Sequence, residues 1–143
     1  MFTFEPANYI ENEPKDSVFF VIFDQSILSF SNENFIRPLT QDELTWSYIE
    51  EKERHFLGYL NKQPCFVILA EKNQCELEHS IFIDMRSALG RMPDQLFDVI
   101  ARSIQIITWS KDHQFCGSCG SPMQRHDKER AMECPNCKGQ LIY

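Results

Sequence analysis

The sequence predicts an α+β fold: an antiparallel β-rich N-terminal domain with one long helix, followed by a small four-cysteine ribbon. Three observations carry that expectation. Aromatic and β-branched runs separated by polar turns fill the region up to Met85, one stretch of helical periodicity follows Pro93, and two Cys-x-x-Cys pairs lie near the end. With 43% apolar and 13% aromatic residues in 143, the chain can bury a sizeable core without disulfides. Its twelve phenylalanines fall mainly before Phe97, which is core material and argues against disorder.

Ser17 to Phe23 (SVFFVIF) has the composition of a strand, Asp24-Gln25 suits a turn, and Ser26 to Phe30 (SILSF) returns as its hairpin partner. Thr40-Gln41-Asp42-Glu43 has the form of a capping box, in which the threonine hydroxyl and the glutamate each satisfy the other's backbone amide. A short helix to about Glu51 follows from it, with an apolar stripe made ragged by Trp46, Ser47 and Tyr48. Phe56 to Leu60, the polar Asn61-Lys62-Gln63-Pro64 and Cys65 to Ala70 (CFVILA) read as a second hairpin whose latter strand is buried on both faces. Cys65 is then a core residue. Cys75, among Gln74, Glu76 and Glu78, is expected on a surface turn with nothing basic beside it to activate the thiol. Ser80 to Met85 (SIFIDM) reads as one more strand.

After Pro93-Asp94, Leu96, Phe97, Val99, Ile100, Ile104, Ile107 and Trp109 recur at helical spacing, which predicts a helix from Asp94 to about Ser110. Its last turn runs through Lys111 and His113 into the first cysteine pair. The chain therefore divides at about residue 113 into a front domain, 1–113, and a ribbon, 114–143. No Gly/Ser linker separates them, so the two are expected to touch.

The net charge of −7 is uneven. Residues 1–113 hold 10 basic and 18 acidic side chains, residues 114–143 hold 4 and 3. Bulk attraction to nucleic acid is disfavoured, and any nucleotide contact has to be local. No run approaches the roughly 20 apolar residues that cross a bilayer, and Met1 to Ile10 carries Glu5 and no basic leader, so a cytoplasmic protein without a membrane is expected. In a reducing compartment six cysteines grouped as two close pairs and two singles point to metal binding.

Cys116-Gly117-Ser118-Cys119-Gly120 and Cys134-Pro135-Asn136-Cys137-Lys138-Gly139 have the spacing of a zinc ribbon, each pair gripping one ion from a tight turn. Gly120 and Gly139 permit the left-handed backbone by which amides approach the sulfurs. Four thiolates leave no position for water, so the Zn²⁺ is expected to be structural, one per chain. A redox pair, two disulfides, or His126 in place of one cysteine are the alternatives. His55, His79 and His113 have no visible partner. The sequence holds no phosphate-cradling glycine loop, no GxSxG and no HExxH, and Glu50, Glu51 and Glu53 read as a solvated face, so no active site is expected within it.

Met92-Pro93-Asp94-Gln95-Leu96-Phe97-Asp98-Val99-Ile100-Ala101-Arg102, then Ile107-Thr108-Trp109, then His113-Gln114-Phe115-Cys116-Gly117-Ser118-Cys119-Gly120 form an ordered set. This order resembles the NADH pyrophosphatase (NAD⁺ diphosphatase) family of Nudix hydrolases, specifically over Met92 to Tyr143. In that family a variable β-rich domain precedes the helix, a four-cysteine zinc ribbon, a Tyr-Pro junction and a catalytic Nudix domain. The Nudix box, GX5EX7REUXEEXGU, whose carboxylates hold Mg²⁺ or Mn²⁺, has no match here. The resemblance implies that the chain is a fragment or a naturally short relative, inactive alone, of a homodimeric parent. That parent would hydrolyse NADH or NAD⁺ to nicotinamide mononucleotide and AMP and act on NAD-capped RNA. It also implies substrate contacts from Glu129, five residues before Cys134, from the junction Tyr143, and from Arg86 ahead of the long helix. A family substrate lysine near the first strands has no counterpart. The alternative is a non-enzymatic zinc-ribbon adaptor that binds another protein or nucleic acid.

Overall fold

The computed structural model describes residues 3–32, 36–90, 92–137 and 141–142. The first expected hairpin forms from β2 (Val18–Phe23) and β3 (Ser26–Phe30), turning through Asp24 at φ 53°. The second forms from β4 (Glu51–Leu60) and β5 (Gln63–Ala70). Its two turn residues, Asn61 and Lys62, both have positive φ (50° and 67°), the conformation whose twist matches antiparallel strands. β6 (Ser80–Asp84) lies against β3, and a three-residue strand β1 (Phe4–Pro6) lies against the end of β4. The order is β1-β4-β5-β2-β3-β6.

The sheet is mixed, because β2 and β5 run parallel, from Val18 opposite Cys65 to Ile22 opposite Leu69. The two hairpins meet through their most apolar strands. Both strands are buried on two faces, so both belong at the centre of the sheet, and a run such as VFFVIF or CFVILA carries no alternation that would specify direction.

Two cores result. On one face Phe20, Ile22, Leu57 and Val67 pack under α3 (Asp94–Asp112) through Leu96, Val99 and Ile100. On the other, Phe19, Phe56, Phe66 and Ile68 pack with Leu39 and with Leu44 of α1 (Gln41–Ser47). The capping box is present, Thr40 Oγ1 accepting from Glu43 N and Glu43 Oε1 from Thr40 N. Helix α3 runs to Asp112, slightly past the expected end. Ile106, outside the expected apolar set, is buried, and Phe97, within it, stands 41% exposed. Met85 belongs to a short helix α2 (Met85–Leu89), not to the strand. Cys65 is buried as expected, while Cys75 is half-buried against the second core beside Leu77, so it is not a plain surface residue.

After α3 the chain passes through the Cys116–Cys119 turn into a three-stranded sheet of β7 (Gln124–Arg125), β8 (Met132–Glu133) and β9 (Leu141–Ile142), ordered β7-β8-β9. Among the described residues no helix is long and apolar enough to cross a membrane.

Candidate metal centre and the ribbon interface

Cys116, Cys119, Cys134 and Cys137 converge so that their Sγ atoms all lie within 4.8 Å of one another, and Cys119 and Cys134 are 3.6 Å apart. A tetrahedron with Zn–S bonds of about 2.3 Å has sulfur–sulfur edges of about 3.8 Å, so the donor set matches that ion. Each pair sits in a turn whose amides face sulfur: Ser118 N donates to Cys116 Sγ at 3.4 Å and Cys137 N to Cys134 Sγ at 3.2 Å. Gly120 has φ +77° and its N–H donates to Cys116 O at 2.8 Å, the left-handed position expected after the first pair. Gly139, its expected counterpart, lies outside the described residues.

The electrostatics also call for a cation. Hydrogen bonds from Ser121 and Asn136 pull the Cys119 thiol down to about 5, while Cys137, bonded to the Cys119 sulfur, is pushed up to about 12. Neighbouring thiolates cannot all ionise unless a positive ion sits between them. Among the described residues this is the one metal-compatible cluster; His126 is not in it, its Nδ1 accepting from the amides of Lys128 and Glu129.

Two arginines join the ribbon to the front domain, and a third, within the front domain, serves the same edge. β1 pairs with β4 only over Gly58 to Leu60, so earlier β4 carbonyls on that edge need other donors. Arg125 donates to Arg54 O at 2.8 Å, Arg130 donates to Phe56 O, and Arg102 of α3 donates to Leu57 O at 3.0 Å and Ala7 O at 3.2 Å. The ribbon is thus docked onto the sheet edge, in line with the missing linker.

Between these arginines lies His55, 1% exposed. Its Nε2 faces Glu53 Oε2 at 3.1 Å, and Ser110 of α3 donates to the same oxygen at 2.9 Å. Glu53 is therefore not part of a solvated face: it has been turned inward by a histidine and a serine that are remote or unremarkable in sequence. Burial holds the His55 imidazole below its ordinary value of 6.5, with Arg125 and Arg130 adding to the effect against Glu53. The hydrogen bond from His55 holds Glu53 below its ordinary 4.5. Both depressions have one sign. The unfolded chain takes up protons first, so stability is complete above about pH 6.5 and is lost as pH falls. The urea midpoint should therefore drop between about pH 7 and about pH 5.5, and His55→Gln should flatten that slope. A midpoint unchanged over this range would contradict the arrangement.

The residues that the resemblance marks for substrate fall apart in the single chain. Arg86 is exposed on α2, at a cleft of about 790 Å³ lined by Met85, Ile104, Ile107, Met123 and Met132. Glu129 is exposed on the ribbon, at a separate cleft of about 250 Å³. Tyr143 lies outside the described residues. Sequence reasoning missed Arg102, Arg125, Arg130 and His55, because carbonyl-capping arginines have no motif.

A family model described as the NADH pyrophosphatase-like rudimentary NUDIX domain matches residues 16–109, and one described as the NADH pyrophosphatase zinc ribbon domain matches residues 111–139. The chain belongs to this NADH pyrophosphatase-like family. Its curated relatives include the NAD-capped RNA hydrolase NudC of Deinococcus radiodurans, 33% identical over 88 residues, 61% of this chain and 30% of that protein. That of Stutzerimonas stutzeri is 35% identical over 81 residues, 57% of this chain and 29% of that protein. The match therefore spans about 30% of the relatives' length. In this NADH pyrophosphatase-like chain the rudimentary NUDIX match covers β2 to β6 of the mixed sheet and most of α3, and the zinc ribbon model covers all four clustered cysteines.

Proposed function

We propose that this chain is the front domain (1–113) and zinc ribbon (114–143) of a longer hydrolase that cleaves NADH or NAD⁺ to nicotinamide mononucleotide and AMP and acts on NAD-capped RNA. The observation that carries the reading is the matched pair, a rudimentary NUDIX domain running straight into a docked four-cysteine ribbon. One Zn²⁺, held by Cys116, Cys119, Cys134 and Cys137, fixes the ribbon. Mg²⁺ or Mn²⁺, which drive the chemistry, belong to a catalytic domain outside these residues. Glu129, Tyr143 and Arg86 reach the dinucleotide. Because Arg86 and Glu129 face different clefts, they serve different sites or different subunits of a homodimer. The protein works in the cytoplasm.

Two measurements test this. The purified chain should not hydrolyse NADH at any Mg²⁺ or Mn²⁺ concentration, because no Nudix box is present to hold those ions; turnover that persists through repurification would contradict it. Reading the gene beyond the codon for Tyr143 should reveal a Nudix box, whereas an immediate stop codon would favour the adaptor.

Self-association is the third expectation. Phe97, with half-buried Ile104 and Trp109, leaves α3 more apolar surface than the sheet covers. A two-fold dimer burying on the order of 1,000 Å² or more should form at micromolar concentration. Light scattering decides, and a monomer throughout would place the dimer contacts elsewhere.

A further inference from the structure

Among the described residues three buried side-chain nitrogens lack a hydrogen-bond partner: His55 Nδ1, Trp109 Nε1 and Arg130 Nε. Two of them gather at one place: Trp109 and Arg130 line the cleft of about 250 Å³, together with Arg54 and Phe56, whereas His55, between those two on β4, is not in the lining. Leaving a buried donor unpaired costs free energy, and an indole or guanidinium N–H can only donate. What this wall lacks is an acceptor.

The charges agree. The lining carries Arg54, Arg125, Lys128 and Arg130 against Asp127 and Glu129. Arg54 is taken up by Glu51 and Glu13. Arg125 and Arg130, and Arg102 beside them, instead donate to main-chain carbonyls and to Asn8. Burial, together with Arg102 and Arg125, pulls the Arg130 guanidinium down to about 10, so the cations repel one another across the docked edge. In a chain of net charge −7 such a local array is the arrangement that draws an anion in against the general field.

We propose that this cleft is an oxyanion site that takes a phosphate group, held by the guanidinium groups of Arg125 and Arg130 and by the Trp109 indole N–H. The terminal nitrogens of the arginines make the first contacts, and the two buried N–H groups join by a rotamer-scale tilt of their side chains. A planar guanidinium presents paired donors to phosphate, and the charge assistance makes these the stronger kind of hydrogen bond. The volume falls below the range of about 300–1,000 Å³ typical of larger ligands, so the fit is to a single phosphate group or one nucleotide. Glu129 lines the same cleft, so the proposal deepens the substrate role given to it; the test uses inorganic phosphate and an uncapped oligonucleotide and not the dinucleotide, so either reading can fail without the other.

The chain has two tryptophans. Trp46 is 61% exposed on α1, so Trp46→Phe leaves Trp109 as the sole reporter. Its fluorescence is followed while inorganic phosphate, or separately a short single-stranded oligonucleotide, is added at constant ionic strength. The expected result is a saturable change that weakens roughly tenfold in Arg125→Gln and in Arg130→Lys, the loss of about one charge-assisted hydrogen bond. Tighter binding of the oligonucleotide identifies a phosphodiester as the source, and tighter binding of inorganic phosphate a small phosphate; either supports the site. Arg125 is exposed and makes one backbone bond, so the Arg125→Gln result decides if Arg130→Lys fails to fold. A response no larger than that to sodium chloride, or one undiminished in Arg125→Gln, would overturn the proposal.

Discussion

Replacing Gly58 with alanine should destabilise the folded chain by about 3 kcal/mol or more, a value at the high end for single substitutions. Gly58 sits at φ +142° in β4, at an irregularity of register that begins after Phe56. A Cβ built there runs into Glu5 O, and stands 2.9 Å from both Ala7 N and Pro6 Cα. Strain at such a dihedral costs about 1–3 kcal/mol and overpacking about 1–3 more. All the obstructing atoms are backbone, so relief requires that β1 move away. It would take with it the Ala7 carbonyl that accepts from Arg102. Gly117, where an added Cβ meets nothing within 4 Å, provides the control, and Gly117→Ala should stay within about 0.5 kcal/mol. Urea unfolding measures both. A Gly58→Ala change as small as the control would show that the β1 crossing is not tight.

The second large effect is expected from Cys119→Ser. In zinc-finger peptides the apparent binding free energy of a structural zinc is about 10–16 kcal/mol, and that energy is folding energy. Removing one of four thiolates should strip the ion and disorder the ribbon around residues 114–137. The front sheet should persist, since its two cores contain none of the four ligands. Amide NMR spectra distinguish the two regions. Collapse of the whole spectrum would show that the Arg125 and Arg130 contacts, not the helix-on-sheet core, hold the front domain together.

Elements that carry their own local chemistry were legible in the sequence. Asp24-Gln25 and Asn61-Lys62 are turn signals, Thr40 and Glu43 form a reciprocal cap, and the two Cys-x-x-Cys pairs specify both turn and donor. The parallel contact of β2 with β5 was not legible, because strands buried on both faces lose the alternation that reports orientation. β1, three residues long, is too short for any period. Glu53 was misread because its partners, His55 and Ser110, are brought together by the packing of α3 on the sheet. The docking arginines were hidden for a related reason: a side chain that caps main-chain carbonyls answers to backbone geometry and leaves no spacing signature in sequence. The four-cysteine cluster stands at the opposite extreme, all four candidate ligands being readable from spacing alone and then found with their Sγ atoms within 4.8 Å of one another.

The zinc content of the purified chain tests the metal centre most directly. Elemental analysis of protein never exposed to chelator should give one zinc per polypeptide, unchanged in His126→Ala, because that histidine turns its Nδ1 to the Lys128 and Glu129 amides. Protein that is folded and contains no zinc would contradict it.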